Sequence, residues 1–272
     1  QMSKPLSLLR WYGGKHYLVK WILSVVQGVH YRRYVEAFGG AAAVLLNKPP
    51  SEFEVYNDLD GRLVRLFRVL REHPQEFFYR LALTPYAEGE WRACGEPCDD
   101  EIEQARRDYV LIRQSFAGRG DSFAYSRTRS RSGMADVVHG FWSAIEQIPL
   151  IVNRLRRVQI MQRDAIDVIR LFDDEDTLFY CDPPYLPEVL RTRDPYHVTM
   201  TREQHERLLE TLLQVKGKVI LSGYASELYD QTLASWHRME RSVSCHSQKS
   251  KRKERRVEVL WMNFTPSAEA VE

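Results

Sequence analysis

Thr177-Leu178-Phe179-Tyr180-Cys181-Asp182-Pro183-Pro184-Tyr185 constrains the fold more than any other stretch of the chain. An apolar run rich in aromatics and bounded by turn residues reads as a buried strand. It stops at an acid, and two prolines then forbid further ladder pairing because neither carries an N–H. Such a strand delivers Asp182 and Tyr185 to the carboxyl edge of a sheet, where open α/β folds bind ligands. The competing reading is a strand that ends in an ordinary Pro-Pro turn.

The residue types fit one chemistry. An exocyclic amine on a nucleobase is a poor nucleophile because its lone pair is delocalised into the ring. The Asp182 carboxylate accepts one N–H of such an amine, and the Pro183 carbonyl, stiffened by its own ring and that of Pro184, accepts the other. Two acceptors on one side pull the nitrogen toward tetrahedral geometry and aim its lone pair at an electrophile. Tyr185 offers a flat face for an extruded base. A carboxylate is a stronger acceptor than a hydroxyl or an amide, which favours an adenine-like amine.

Further acids follow strand patterns elsewhere. Tyr34-Val35-Glu36-Ala37-Phe38-Gly39-Gly40-Ala41-Ala42 reads as a strand, a glycine turn and the start of a helix. Gly39 and Gly40 let the backbone approach a ligand, but the spacing is not that of a dinucleotide fingerprint. Phe53 to Asp58 is a second strand. Asp58 lies about 20 residues past the glycine turn, the interval at which an acid meets ribose hydroxyls. It also precedes a helical pattern from Leu63 to Leu70, so it reads equally as an N-cap. Val158 to Asp164 is a third strand ending in an acid. Asp164 is either the N-cap of a helix over Ala165–Leu171 or the acceptor for the amine of a cofactor adenine. Thr201–Val215 is an amphipathic helix, Lys218–Gly223 a fifth strand, and His237–Ser242 with Val257–Asn263 a hairpin. At the N-terminus, Trp11-Tyr12-Gly13-Gly14-Lys15 is a glycine turn before a helix, which can seat an anion while Lys15 pairs with a carboxylate.

Residues 72–149 show helical patterning, as over Ile102–Gln114, and no glycine-ended strand. Their centre, Ser115 to Arg131, alternates arginines, hydroxyls, glycines and aromatics. Arg119, Arg127, Arg129 and Arg131 suit phosphates or guanine edges, and Tyr125 suits stacking or wedging. A solvated basic loop is the plainer alternative. Pro187–Thr201, with Arg191, Tyr196 and His197, reads as a lid with DNA contacts. Lys251 and Arg252 belong to a basic run on the last hairpin that can track phosphates.

Net charge is only +2, so a nucleic-acid face must come from such local clusters. The 44% hydrophobic content supports a sizeable core, in one large domain or in one domain with an inserted module. Cys94, Cys98, Cys181 and Cys245 form no disulfide pattern. Cys94 and Cys98 could ligate a metal, but no second close pair completes a zinc site, so no metal is expected. Free thiols point to a cytoplasmic protein. No long apolar run reads as a membrane span.

Taken together, Trp11 to Lys15, Glu36 to Gly40, Asn57-Asp58 and Asp182 to Tyr185 resemble, in content and order, the motifs of the Dam-type (D12 class) DNA adenine-N6 methyltransferases. The resemblance spans Arg10 to Asn263. It implies S-adenosylmethionine as cofactor, S-adenosylhomocysteine as product, and an adenine flipped from duplex DNA. It also implies cofactor contacts from Trp11, Tyr12, Lys15, Glu36, Phe38, Gly39, Gly40, Asp58, Asp164 and Asp182, with catalysis by Asp182, Pro183, Pro184 and Tyr185. The expected fold is α/β: a Rossmann-like methyltransferase domain with a mixed seven-stranded sheet, built from residues 1–70 and 151–265. Residues 71–150 form a mostly helical target-recognition insert. The same chemistry on RNA adenine, cytosine N4 or a protein glutamine competes with this reading. So does a DNA-binding protein that holds no cofactor.

Overall fold

The computed structural model describes residues 5–9, 18–189, 199–244 and 255–267. Seven strands, β1 (Arg33–Glu36), β2 (Phe53–Asn57), β3 (Val158–Met161), β4 (Thr177–Cys181), β5 (Lys218–Tyr224), β6 (His237–Ser244) and β7 (Arg255–Met262), form one sheet. Their order is β3-β2-β1-β4-β5-β7-β6. β4 is the middle strand, and all five of its residues are buried. It pairs in parallel with β1 (Val35 opposite Phe179) and with β5 (Cys181 opposite Leu221). β7 runs antiparallel to both β5 and β6, so the last hairpin supplies the antiparallel edge of an otherwise parallel array. This is the mixed sheet expected of a Rossmann-like methyltransferase.

The pleat sorts the side chains into two faces. Val35, Val55, Phe179, Cys181, Val219, Leu221, Val259 and Trp261 point one way and bury against α9 (Ala165–Leu171), α10 (Arg202–Leu212) and α11 (Glu227–Thr232). Tyr34, Glu36, Tyr56, Tyr180 and Ser222 occupy the alternate positions and are also buried. That second face is polar although it is inside, so its hydroxyls and carboxylates need partners. At its margin lies an ion pair with no exposure on either side, Lys48 Nζ to Glu54 Oε1 at 2.5 Å. Removing one member of such a pair strands a buried charge, at a cost of about 3–5 kcal/mol.

The chain forms two compact units. One holds residues 5–9, Gly40–Asn47 and Asp60–Ile160; the other holds Leu18–Gly39, Lys48–Leu59 and the described residues from Met161 onward. The second holds the sheet apart from Val158–Ile160 of β3, and also contains α1 (Val19–Gln27). The first is helical: α2 (Ala43–Asn47), α3 (Gly61–Glu72), α4 (Pro74–Ala82), α5 (Glu88–Ala93), α6 (Glu101–Arg113), α7 (Asp136–Ile145) and α8 (Ile148–Leu155). Leu66, Phe67 and Leu70 on α3, Phe77 on α4 and Tyr109 on α6 sit at helical spacing and form its core with Phe141 of α7. Tyr109 meets Phe77 edge-on at 6.3 Å and Phe141 at 6.1 Å.

Between α6 and α7 the structure adds an element absent from the sequence reading. Ser130–Arg131 pairs antiparallel with Met134–Ala135 as a small ribbon. Its two-residue turn has positive φ at both Ser132 (50°) and Gly133 (78°), the requirement of a type I′ hairpin turn.

Candidate active site

The carboxyl ends of β1, β2 and β3 are tied together by one side chain. Asn57, the last residue of β2, is fully buried. Its Nδ2 donates to the carbonyls of Ala37 (3.0 Å) and Arg163 (2.9 Å), and its Oδ1 accepts from the Arg163 backbone N–H at 2.9 Å. Its own carbonyl accepts from the Gly39 N–H at 2.7 Å. The glycine turn and the turn after β3 therefore close on the same residue. Gly39 is needed here for space: a Cβ would lie 2.2 Å from the buried Tyr56 ring. Gly40 (φ 51°) and Ala42 (φ 54°) complete the turn in left-handed conformation.

Asp58 follows Asn57 and is half-exposed, its N–H directed at the Met161 carbonyl (3.4 Å). The N-cap reading of Asp58 fails. The cap of α3 is Asp60, whose carboxylate accepts from the Arg62 N–H at 3.0 Å and from its guanidinium at 2.7 Å. The N-cap reading of Asp164 holds: Oδ1 accepts from the Ile166 N–H at 2.9 Å. The side chain is exposed. Glu36 is buried, and one oxygen accepts from the Tyr34 hydroxyl at 2.8 Å. That neighbouring carboxylate and burial together hold the Tyr34 phenol well above its usual range, with burial the larger cause. Phe38 is partly buried on the edge of the core.

Asp182 emerges at the end of β4, half-exposed, while Pro183 behind it is buried. Its Oδ1 accepts from Ser222 Oγ at 2.8 Å, and Ser222 Oγ lies 3.2 Å from the Tyr180 hydroxyl. Tyr185 is anchored at both ends: its hydroxyl donates to Glu258 Oε1 at 2.9 Å, and its ring stacks on Tyr224 at 4.0 Å and 9°. Only 5% of it is exposed, so the flat face expected from sequence is shared with a second tyrosine. A cleft is lined by Pro183, Pro184, Tyr185, Ser222, Tyr224 and Tyr229. Behind it, the Tyr229 hydroxyl meets His205 Nδ1 at 2.7 Å. Burial pushes the imidazole down to about 4, so it is neutral at pH 7, and burial raises the Tyr229 phenol. Ser222, Tyr224 and Glu258 were not singled out by sequence, and Asn57 entered only as the neighbour of Asp58, because a polar residue in a strand carries no local mark of what it will touch.

In the helical unit, Arg127, Arg129 and Arg131 are exposed on and before the ribbon, and Arg119 is half-buried. The aromatics divide. Phe123 packs against Tyr86 (5.4 Å) and Trp91 (6.3 Å), whereas Tyr125 is 72% exposed. Trp11, Tyr12, Lys15, Arg191, Tyr196, His197, Lys251 and Arg252 lie outside the described residues.

Among the described residues no group of three or more His, Cys, Asp or Glu is arranged to hold a metal. Burial pushes the Cys94 thiol up to about 11, which disfavours the thiolate a metal needs. No helix among these residues is long and apolar enough to cross a membrane.

Acids thus stand at or just past the carboxyl ends of β1, β2, β3 and β4. They are acceptors suited to a diol, an aromatic amine and a cationic centre, which is the donor set of S-adenosylmethionine. No match was found among curated proteins. The model of the D12 class N6 adenine-specific DNA methyltransferases matches residues 11–252, most of the chain. The chain therefore belongs to that family, and is an S-adenosylmethionine-dependent DNA methyltransferase.

Proposed function

We propose that this enzyme methylates N6 of a specific adenine turned out of duplex DNA, with Asp182 and Pro183 holding the amine. The observation that carries the reading is the placement of Asp182. It is half-exposed at the end of the fully buried middle strand, with Oδ1 already fixed by Ser222. The Asp182 carboxylate and the Pro183 carbonyl are the two acceptors that would orient the N6 hydrogens. Asp182 also stands at the proton that the nitrogen sheds after acquiring the methyl group, so no separate base is required. Pro184 stiffens the turn, and Tyr185, braced by Tyr224 and Glu258, lines the cleft that the base would enter.

S-adenosylmethionine, when bound, supplies an electrophilic methyl group on a sulfonium sulfur. Asp58 would accept from the ribose hydroxyls, and the Asp164 carboxylate from the adenine amine. Glu36, Phe38, Gly39 and Gly40 would contact the cofactor, and Trp11, Tyr12 and Lys15 are assigned the same role from the sequence. A cleft that excludes water favours the reaction, because a sulfonium and a neutral amine disperse charge on the way to the transition state.

Residues 71–150 serve as the recognition module in this reading. Arg127, Arg129 and Arg131 contact phosphates or guanine edges, Arg119 supports them, and Tyr125 fills the space left by the extruded base. Arg191, Tyr196, His197, Lys251 and Arg252 are assigned further DNA contacts from the sequence. Label transfer from radioactive cofactor to duplex DNA, RNA and protein tests the substrate class. Label at adenine N6 of duplex DNA, in one sequence context, is expected. Label confined to RNA, to cytosine or to protein would overturn the reading.

A further inference from the structure

We propose that Ser222 is a positioning residue for Asp182, and that Tyr180 in turn positions Ser222. The inference rests on the catalytic role of Asp182 given above. β4 and β5 run in register, Cys181 opposite Leu221, so Asp182 and Ser222 are the next pair along. Tyr180 lies two residues before Asp182 and on the same face of the pleat. Ser222 is 1% exposed and Tyr180 is 3% exposed, so water does not compete for either hydroxyl.

Proton counting gives the chain a direction. An ionised carboxylate only accepts, so the 2.8 Å contact uses the single proton of Ser222. The 3.2 Å contact between Tyr180 and Ser222 must then use the tyrosine proton. The relay runs from Tyr180 to Ser222 to Asp182 Oδ1. It fixes the rotation of the carboxylate about its Cβ–Cγ bond. A serine that merely satisfied itself could return its proton to a backbone carbonyl, as Thr211 does to Arg207 at 2.9 Å on α10. Ser222 instead spends it on the one half-exposed acid at the end of the middle strand.

Loss of a preorganised donor acts on the transition state more than on binding. Ser222→Ala is expected to lower kcat by about 10–100-fold while KM for cofactor and for DNA stays within about threefold. Ser222→Thr, which keeps the hydroxyl on a strand-compatible side chain, is expected to recover kcat to within about fivefold of wild type. Tyr180→Phe is expected to give a smaller loss, about 3–10-fold. In single-turnover assays on an Asp182→Asn background, Ser222→Ala should add little. Thermal melts of each variant control for folding. The inference is overturned if Ser222→Ala keeps its kcat. It is equally overturned if Thr fails to rescue while both variants melt early, or if the loss is undiminished on the Asp182→Asn background. An Asp182→Asn enzyme with wild-type activity would instead remove the catalytic reading itself.

Discussion

The carboxyl edge of the sheet and the arginine ribbon of the helical unit are built on opposite principles. At the edge, function-bearing groups hang from buried residues. Asn57 uses three side-chain hydrogen bonds to hold two turns, and Ser222 holds Asp182. In the ribbon, Arg127, Arg129 and Arg131 are exposed, and the local order comes from a two-residue turn, Phe123 in its aromatic pocket, and Ser126 hydrogen-bonded to Arg129. The first arrangement suits chemistry that fails when an atom moves by an ångström. The second suits a polyanion that must be attracted first and fitted afterwards.

If this contrast is right, changes at the edge should alter folding and ribbon changes should not. The largest stability effect is expected for Asn57→Ala. It strands the Arg163 N–H and two carbonyls in the interior and should cost about 3 kcal/mol in denaturant unfolding. A loss below about 1 kcal/mol would show that the turns do not depend on this side chain. Next is the triple change Arg127→Ala, Arg129→Ala, Arg131→Ala. Affinity for duplex DNA should fall about 10–100-fold, with the slope against log salt shallower by about three and thermal stability unchanged. Unaltered binding would leave the ribbon without its assigned role. Gly39→Ala forces a methyl into the Tyr56 ring, and about 1–3 kcal/mol of destabilisation is expected from overpacking. Calorimetry showing no change would mean that the turn yields freely.

The smallest effect concerns pH. His205 has its folded pKa lowered from 6.5 to about 4, so the folded state resists protonation that the unfolded chain accepts. Its contribution to stability is present above pH 6.5 and is lost as pH falls toward 4. Replacing His205 with Gln should flatten the stability curve in that window. An unchanged slope would place the acid sensitivity in other groups.

Much of the edge was legible in the sequence, because burial leaves a mark there. The apolar run Leu178–Cys181 ending at Asp182-Pro183-Pro184 is a middle strand and its exit, and the helix over Ala165–Leu171 has the expected bounds. What was missed depends on distance along the chain. Asn57 meets Arg163 across 106 residues, and Ser222 meets Asp182 across 40. Between Asp58 and Asp60, two residues apart, only coordinates separate the cap from the other acid. The ribbon was invisible for a different reason. Its strands are two residues each and too polar to alternate, so only the Ser132-Gly133 turn hinted at it. Tyr125 and Phe123 look equivalent in the sequence, yet one is out in solvent and the other is packed.

The central claim is that the Asp182 carboxylate grips the amine that becomes methylated. Single-turnover methyl transfer to an adenine-containing duplex by folded Asp182→Ala, at saturating cofactor and DNA, measures this directly. The account predicts a rate reduced by at least about 1,000-fold with DNA binding retained. A rate within tenfold of wild type would contradict it.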